Sequence, residues 1–239
     1  MVVVPVPALS DNYIWMFRDP ASGSVAVVDP GQDAPALAAA EQRGWTISHI
    51  LNTHWHPDHT GGNAGIKAAT GAPIIAPTEA EKVSPVDRVI REGDRMTVGE
   101  MEAEIWDIPA HTAGHIAFYF EEAKIIFTGD TLFAMGCGRL FEGNAEQMFA
   151  NMQRFAALPD DVMIYCGHEY SLANARFAAH VEPDNRAIAE RLDKVAQMRD
   201  RGEVTLPTSI GEEKATNPFM RATDADDLAR LRTMKDSFG

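Results

Sequence analysis

The segment Thr53-His54-Trp55-His56-Pro57-Asp58-His59 constrains this chain more than any other stretch of its length. The preceding residues, 47–53, form a short apolar run, which predicts a buried strand. If the extended backbone persists beyond it, His54 and His56 alternate onto one face. Pro57 then breaks that conformation and turns Asp58 and His59 toward a neighbouring point. The chain has eight histidines in 239 residues. Three of them within six positions, with an aspartate between, is a grouping that no packing need explains. Imidazole with carboxylate suits Zn²⁺ and also Fe or Mn, and the arrangement fits two adjacent metals better than one tetrahedral site.

Three further segments carry metal-type residues where strands are predicted to end. They are Pro109-Ala110-His111-Thr112-Ala113-Gly114-His115, Phe127-Thr128-Gly129-Asp130-Thr131 and Cys166-Gly167-His168. Donors at the ends of separate strands require a fold that gathers those ends along one sheet edge. A carboxylate between two cations can bridge them, and Asp130 is the isolated candidate.

The pattern around these segments is mixed α/β. Strands are expected at 2–7, 12–18, 24–29, 73–76, 96–106, 116–120, 124–128 and 162–166, with a hairpin turn at Lys124. Helices are expected at 33–43, capped by Asp33 and closed by Gly44, at 59–70, and at 145–158 with Asn144 as cap. The texture then changes. Residues 170–181 and 184–201 read as helices, the second with Ile188, Leu192, Val195 and Met198 as an apolar stripe. Residues 203–219 read as a connection, and 224–236 as a last helix capped by Thr223 or Asp224. The expected division is an α/β domain over 1–172 and a helical addition over 173–239, suited to covering an active site.

Charge narrows the partners. Against 21 Lys and Arg stand 35 Asp and Glu, a formal charge of -14. No basic stripe is present to neutralise a run of phosphates, so nucleic acid and anionic membranes are excluded as partners. Residues 1–172 carry 10 basic and 23 acidic groups and residues 173–239 carry 11 and 12, so a small anion needs local cations to hold it. Two cysteines make no disulfide framework and suit a reducing compartment. The start, MVVVPVPALSDNY, lacks a basic n-region, and no apolar run approaches a membrane span. These features point to a cytoplasmic protein. No GxSxG element offers a serine nucleophile.

The wording THWHPDHTGG, PAHTAGH, FTGDTLF and YCGHEY resembles the metallo-β-lactamase superfamily. With GCGRLFEG and the tail NPFMRA…LRTMKDSF, it resembles more narrowly the glyoxalase II (hydroxyacylglutathione hydrolase) family, from about residue 9 to the C-terminus. The resemblance implies an αββα sandwich with a small C-terminal helical domain. It implies two divalent ions, most readily Zn, one held by His54, His56 and His111 and the other by Asp58, His59 and His168, with Asp130 bridging. His115 is then a buried hydrogen-bonded residue, Asp29 either a support for the ligands or a plain turn residue, and Cys137 and Cys166 small buried residues. His49 and His180 match no motif.

The reaction implied is hydrolysis of the thioester of S-D-lactoylglutathione, and other 2-hydroxyacylglutathiones, to glutathione and D-lactate. A metal-bridging hydroxide attacks, with Asp58 as its proton acceptor, and the enzyme acts as a monomer in methylglyoxal detoxification. Glutathione is implied to contact Arg139, Phe141, Tyr170, Arg232 and Lys235. Phe141 departs from the family pattern, which commonly has a tyrosine hydroxyl there. The alternative within the same superfamily is a persulfide dioxygenase with a single iron, against which the complete second ligand set, with His59 and His168, argues.

Overall fold

The β-branched and aromatic runs at the N-terminus pair as their alternation requires. A computed structural model describes residues 1–238 and resolves them into two compact units, Met1–Asp107 with Gly114–Gly129, and residues 108–113 with 130 onward.

In the first unit, β1 (Val2–Ala8) and β2 (Asn12–Arg18) form an antiparallel hairpin, and β3 (Val25–Val28) continues it antiparallel. Helix α1 (Asp33–Arg43) then crosses over, so that β4 (Ile47–Leu51) lies parallel to β3. Helices α2 (Pro57–Thr60) and α3 (Asn63–Thr70) lead to β5 (Ile74–Ala76), parallel to β4, and β6 (Arg88–Val89) completes the sheet. A second, antiparallel set contains β7 (Arg95–Val98), β8 (Met101–Asp107), β9 (Ile116–Phe120) and β10 (Ile125–Gly129).

Strand β2 shows why this unit is layered. Ile14 and Met16 face a core with Ala36 and Ala40 of α1 and Ile66 of α3. The alternate residue Phe17 meets Phe120 and Phe127 of the second sheet at ring distances of 5.2 and 5.4 Å. Both faces are therefore covered, and burying a side chain such as Phe17 contributes roughly 1.5–3 kcal/mol. Because β3 and β4 run parallel, their C-terminal ends coincide. Asp29 leaves one and Thr53 and His54 the other, with the Asp29 amide donating to Leu51 O at 2.8 Å. Open α/β sheets bind ligands at such ends.

The second unit opens after Asp130 with a short hairpin, β11 (Leu132–Phe133) and β12 (Gly136–Cys137). Helix α4 (Ala145–Ala156) begins at Asn144, whose side chain accepts from the Gln147 amide in a capping box. Strand β13 (Met163–Cys166) pairs with β14 (Thr208–Ser209). Helices α5 (Ser171–Val181) and α6 (Arg186–Asp200) enclose Met135, Ala175, Ala178, Ile188 and Val195, with Leu192 against that cluster. Helices α7 (Ile210–Thr216) and α8 (Ala225–Asp236) follow, the last capped by Asp224.

Four local expectations are corrected. The strand expected over 96–106 is a hairpin, because Gly99, at φ 63°, turns β7 into β8. The helix expected over 59–70 is two pieces, α2 and α3, broken at Gly61-Gly62. The connection over 203–219 contains β14 and α7, the helix started by a capping box between Ser209 and Glu212. Asp33 lies inside the first turn of α1, while Gln32 takes the cap position; the Asp33 carboxylate there still favours the helix N-terminus.

Candidate metal centre

Each unit carries its own set of donor side chains. In the first unit, His54 follows β4, and His56 is the residue from which Pro57 starts α2. His54 Nε2 and His56 Nδ1 stand 3.1 Å apart. One helical turn brings His59 round, so that its Nε2 lies 3.4 Å from Asp58 Oδ2. This turn packs closely on the loop after β3. A Cβ at Gly31 would stand 2.0 Å from the Asp58 carbonyl oxygen, so only glycine fits there.

In the second unit, Asp130 Oδ2 lies 3.5 Å from His111 Nε2 and 3.2 Å from His168 Nε2. One carboxylate oxygen thus faces two imidazole nitrogens. Gly138 allows this loop to close: a Cβ would stand 1.9 Å from Asp130 O and 3.0 Å from His111 Nδ1.

The hydrogen-bond partners fix which nitrogens carry lone pairs. Asp29 is buried, and its Oδ1 accepts from the Thr53 amide and its Oδ2 from the Thr53 hydroxyl, both at 2.7 Å. The Thr53 oxygen, having donated its proton, accepts from His54 Nδ1 at 3.0 Å, so a neutral His54 carries its lone pair on Nε2. Asp29 Oδ2 also lies 3.2 Å from His59 Nδ1, within ion-pair range. The Arg139 carbonyl can only accept, so His111 Nδ1 donates to it at 2.9 Å and His111 Nε2 holds the lone pair. Buried partners of this kind orient metal-ligating imidazoles.

The donor set fits divalent cations. Two donors at 2.0–2.2 Å from one ion, at the tetrahedral angle, stand about 3.4 Å apart. The four spacings above, 3.1, 3.4, 3.5 and 3.2 Å, all match an edge of such a polyhedron. Asp29, His54 and His59 also form a possible donor group, but the donors already directed at Asp29 make it a support for the two histidines.

The remaining candidates separate clearly. His115 is fully buried, donates through Nδ1 to Ile116 O at 3.1 Å and stacks on the His54 ring at 4.6 Å. Cys137 and Cys166 are buried thiols, which burial pushes up to about 11 and about 12. His49 is half-buried beside Ser48, and desolvation lowers its pKa; His180 packs against Phe238. Asn12, which the sequence did not single out, donates through Nδ2 to Asp58 Oδ2 at 3.0 Å. It lies 46 residues from its partner, too far for any local pattern to link them.

Arg139, Phe141, Arg232 and Asp236 come together around a cavity of about 570 Å³ in the second unit, with Ala229 and Thr233. Phe141 is 60% exposed and leans toward His111, ring centres 5.2 Å apart. Arg232 is buried: it donates to Cys137 O at 2.8 Å and to Asp236 Oδ1 at 2.7 Å, while Arg139 stands 3.7 Å from the same oxygen. Lys235 lies outside the lining and donates to Ala173 O at 3.2 Å; burial lowers its pKa, as does Arg232 nearby. Tyr170 stacks flat on His168 at 4.7 Å.

Comparison with known proteins gives the family. The family described as the metallo-β-lactamase superfamily matches residues 10–168, and hydroxyacylglutathione hydrolase C-terminus matches residues 169–238. A hydroxyacylglutathione hydrolase of Erythrobacter litoralis is 47% identical over 244 residues, covering 97% of each chain. One of Rhodospirillum rubrum is 49% identical over 222 residues, covering 92% of this chain and 87% of the relative. Among solved structures, ETHE1 from Myxococcus xanthus superposes with a TM-score of 0.75 at 25% identity, covering 98% of this chain and 90% of that one. The fold is thus the metallo-β-lactamase fold with a C-terminal helical domain. With both family matches and near-full-length identity of this order, the chain belongs to the hydroxyacylglutathione hydrolase, or glyoxalase II, family of the metallo-β-lactamase superfamily.

Proposed function

We propose that this chain hydrolyses S-D-lactoylglutathione and related 2-hydroxyacylglutathiones to glutathione and the 2-hydroxy acid, with two Zn²⁺ ions, as a cytoplasmic monomer. Family membership over nearly the whole chain supports the reaction class. The observation that carries the site assignment is Asp130 Oδ2 facing the lone-pair nitrogen of His111 on one side and His168 on the other. We assign His54, His56 and His111 to one ion, Asp58, His59 and His168 to the second, and Asp130 to both. Functionally, residues 1–172 form the catalytic domain and 173–239 the glutathione-contacting one.

When bound, two divalent ions supply a hydroxide from water near neutral pH and a Lewis acid for the acyl oxygen. The chain's own groups do the rest. Asp58 is held in place by Asn12 and its side chain is 37% exposed, so its carboxylate can accept the proton of the attacking water. A thiolate is a stable leaving group and needs no strong general acid. Arg139, Phe141, Tyr170, Arg232 and Lys235 hold the glutathione moiety, Arg139 and Arg232 from the cavity they share with Asp236.

Elemental analysis of the purified protein, paired with turnover of lactoylglutathione and of a simple acyl thioester, tests this reading. Two ions per chain and a strong preference for the glutathione thioester are expected, with His54→Ala reducing kcat/KM by at least ~100-fold. Full turnover without metal, or oxygen uptake on a glutathione persulfide in place of thioester cleavage, would overturn it.

A further inference from the structure

We propose that Asn174, Glu213, Asn217 and Arg232 are positioning residues for the metal centre: they grip the 133–137 turn by its backbone, and through it set Asp130 and His111. The proposal rests on the assignment of those two residues as ligands.

Five consecutive residues of this turn each have a backbone group bonded to a side chain from the C-terminal helices. Asn217 Nδ2 donates to Phe133 O at 3.2 Å and to Gly136 O at 3.0 Å. Asn174 Nδ2 donates to Ala134 O at 3.1 Å. The Met135 amide donates to Glu213 Oε2 at 2.7 Å, and Arg232 Nη1 donates to Cys137 O at 2.8 Å. Met135 has a φ of 54°, a left-handed conformation that a residue with a Cβ does not choose locally. The helices therefore impose the turn's shape.

Glu213 is the centre of the grip. It is fully buried, and besides Met135 it accepts from Thr208 and Arg191, both at 2.6 Å, and from Asn217 at 2.9 Å. A buried ion pair is a poor way to gain stability alone, since apolar packing does as well. Two of its four donors lead directly to the turn, which points to a role in specifying its geometry.

The turn leaves no slack toward the site. Its β11 and β12 arms pair at Leu132 with Cys137 and Phe133 with Gly136, and the Gly138 amide donates to Thr131 O at 3.2 Å. Asp130 lies immediately before this closure. Arg139, whose carbonyl sets the His111 tautomer, lies immediately after it. A shift of the turn therefore moves a ligand at one end and the orienting acceptor of another ligand at the other.

The test uses the full-length Zn²⁺-loaded protein and competition with a chromophoric chelator, with circular dichroism confirming that each variant is folded. Glu213→Gln and Asn217→Ala should weaken retention of at least one Zn²⁺ by roughly 10–100-fold. Lys214→Ala, on the same helix but bonded to Leu158 O and Asp160, should hold both ions as the wild type does. If Glu213→Gln does not fold, Asn217→Ala and Asn174→Ala decide the matter. Folded variants with a lowered Tm and wild-type Zn²⁺ affinity would overturn the proposal. Wild-type protein that binds no Zn²⁺ would overturn both this proposal and the ligand assignment beneath it.

Discussion

Replacing Asp29 by Asn should disorient His54, one of the proposed ligands, while leaving the fold nearly intact. Asp29 accepts from the Thr53 amide on Oδ1 and from the Thr53 hydroxyl on Oδ2, and the same Oδ2 lies 3.2 Å from His59 Nδ1. An asparagine amide nitrogen at the Oδ1 position would oppose a backbone N–H that has no alternative. At the Oδ2 position it opposes the Thr53 hydroxyl, which can adapt. The hydroxyl turns to donate to His54 Nδ1, and His54 moves its proton to Nε2. That nitrogen then cannot bind an ion. Loss of such an orienting partner reduces metal affinity roughly 10–100-fold, or about 1.4–2.7 kcal/mol.

Asp29→Ala is the harsher change. It leaves the buried Thr53 amide and hydroxyl without their acceptor, at about 1–3 kcal/mol each, so Tm should fall on the order of 10 °C. Chelator competition measures the first effect and thermal unfolding the second. An Asp29→Asn protein that retains both Zn²⁺ ions as tightly as wild type would refute the tautomer argument.

Four further outcomes are expected. With thiols raised to about 11 and about 12 by burial, Cys137 and Cys166 should resist iodoacetamide at pH 8 in the native protein and react on unfolding. Because these folded values lie above the unfolded value of 9.0, the stability they contribute is complete below about pH 9 and is lost as pH rises through the folded values, so thermal scans should show Tm falling across that window. Arg232→Ala removes a buried charged donor from Cys137 O and should lower Tm by on the order of 5 °C as well as raise KM. Lys235→Ala should raise KM with a smaller change in Tm; equal Tm losses in the two variants would contradict the difference in their surroundings.

Much of the proposed site is legible in the residues. His54, His56, Asp58 and His59 are recognisable because a strand, a proline and one helical turn dispose them locally. His111, Asp130 and His168 are recognisable because each follows an apolar run. The cations are less legible. Spacing of i, i+3 on a helix suggests that Arg232 and Lys235 project to one side. Packing sends Arg232 into the chain, onto Cys137 O and Asp236, while Lys235 turns to Ala173 O. Helix geometry sets a direction, and only the neighbouring elements decide what a long side chain meets.

By itself the sequence determined the donor types, the strands and helices that carry them and, through the wording of its motifs, the family. Those properties are local: coordination chemistry depends on residue type, and periodicity on a few neighbours. The tertiary structure alone decided that Asp29 anchors Thr53 and lies against His59, that Asn12 holds Asp58 across 46 residues, and that the 133–137 turn is gripped from helices up to 95 residues away. Hydrogen bonds at such separations leave no periodic trace in a sequence, because they depend on where the chain returns and not on what surrounds each residue along it.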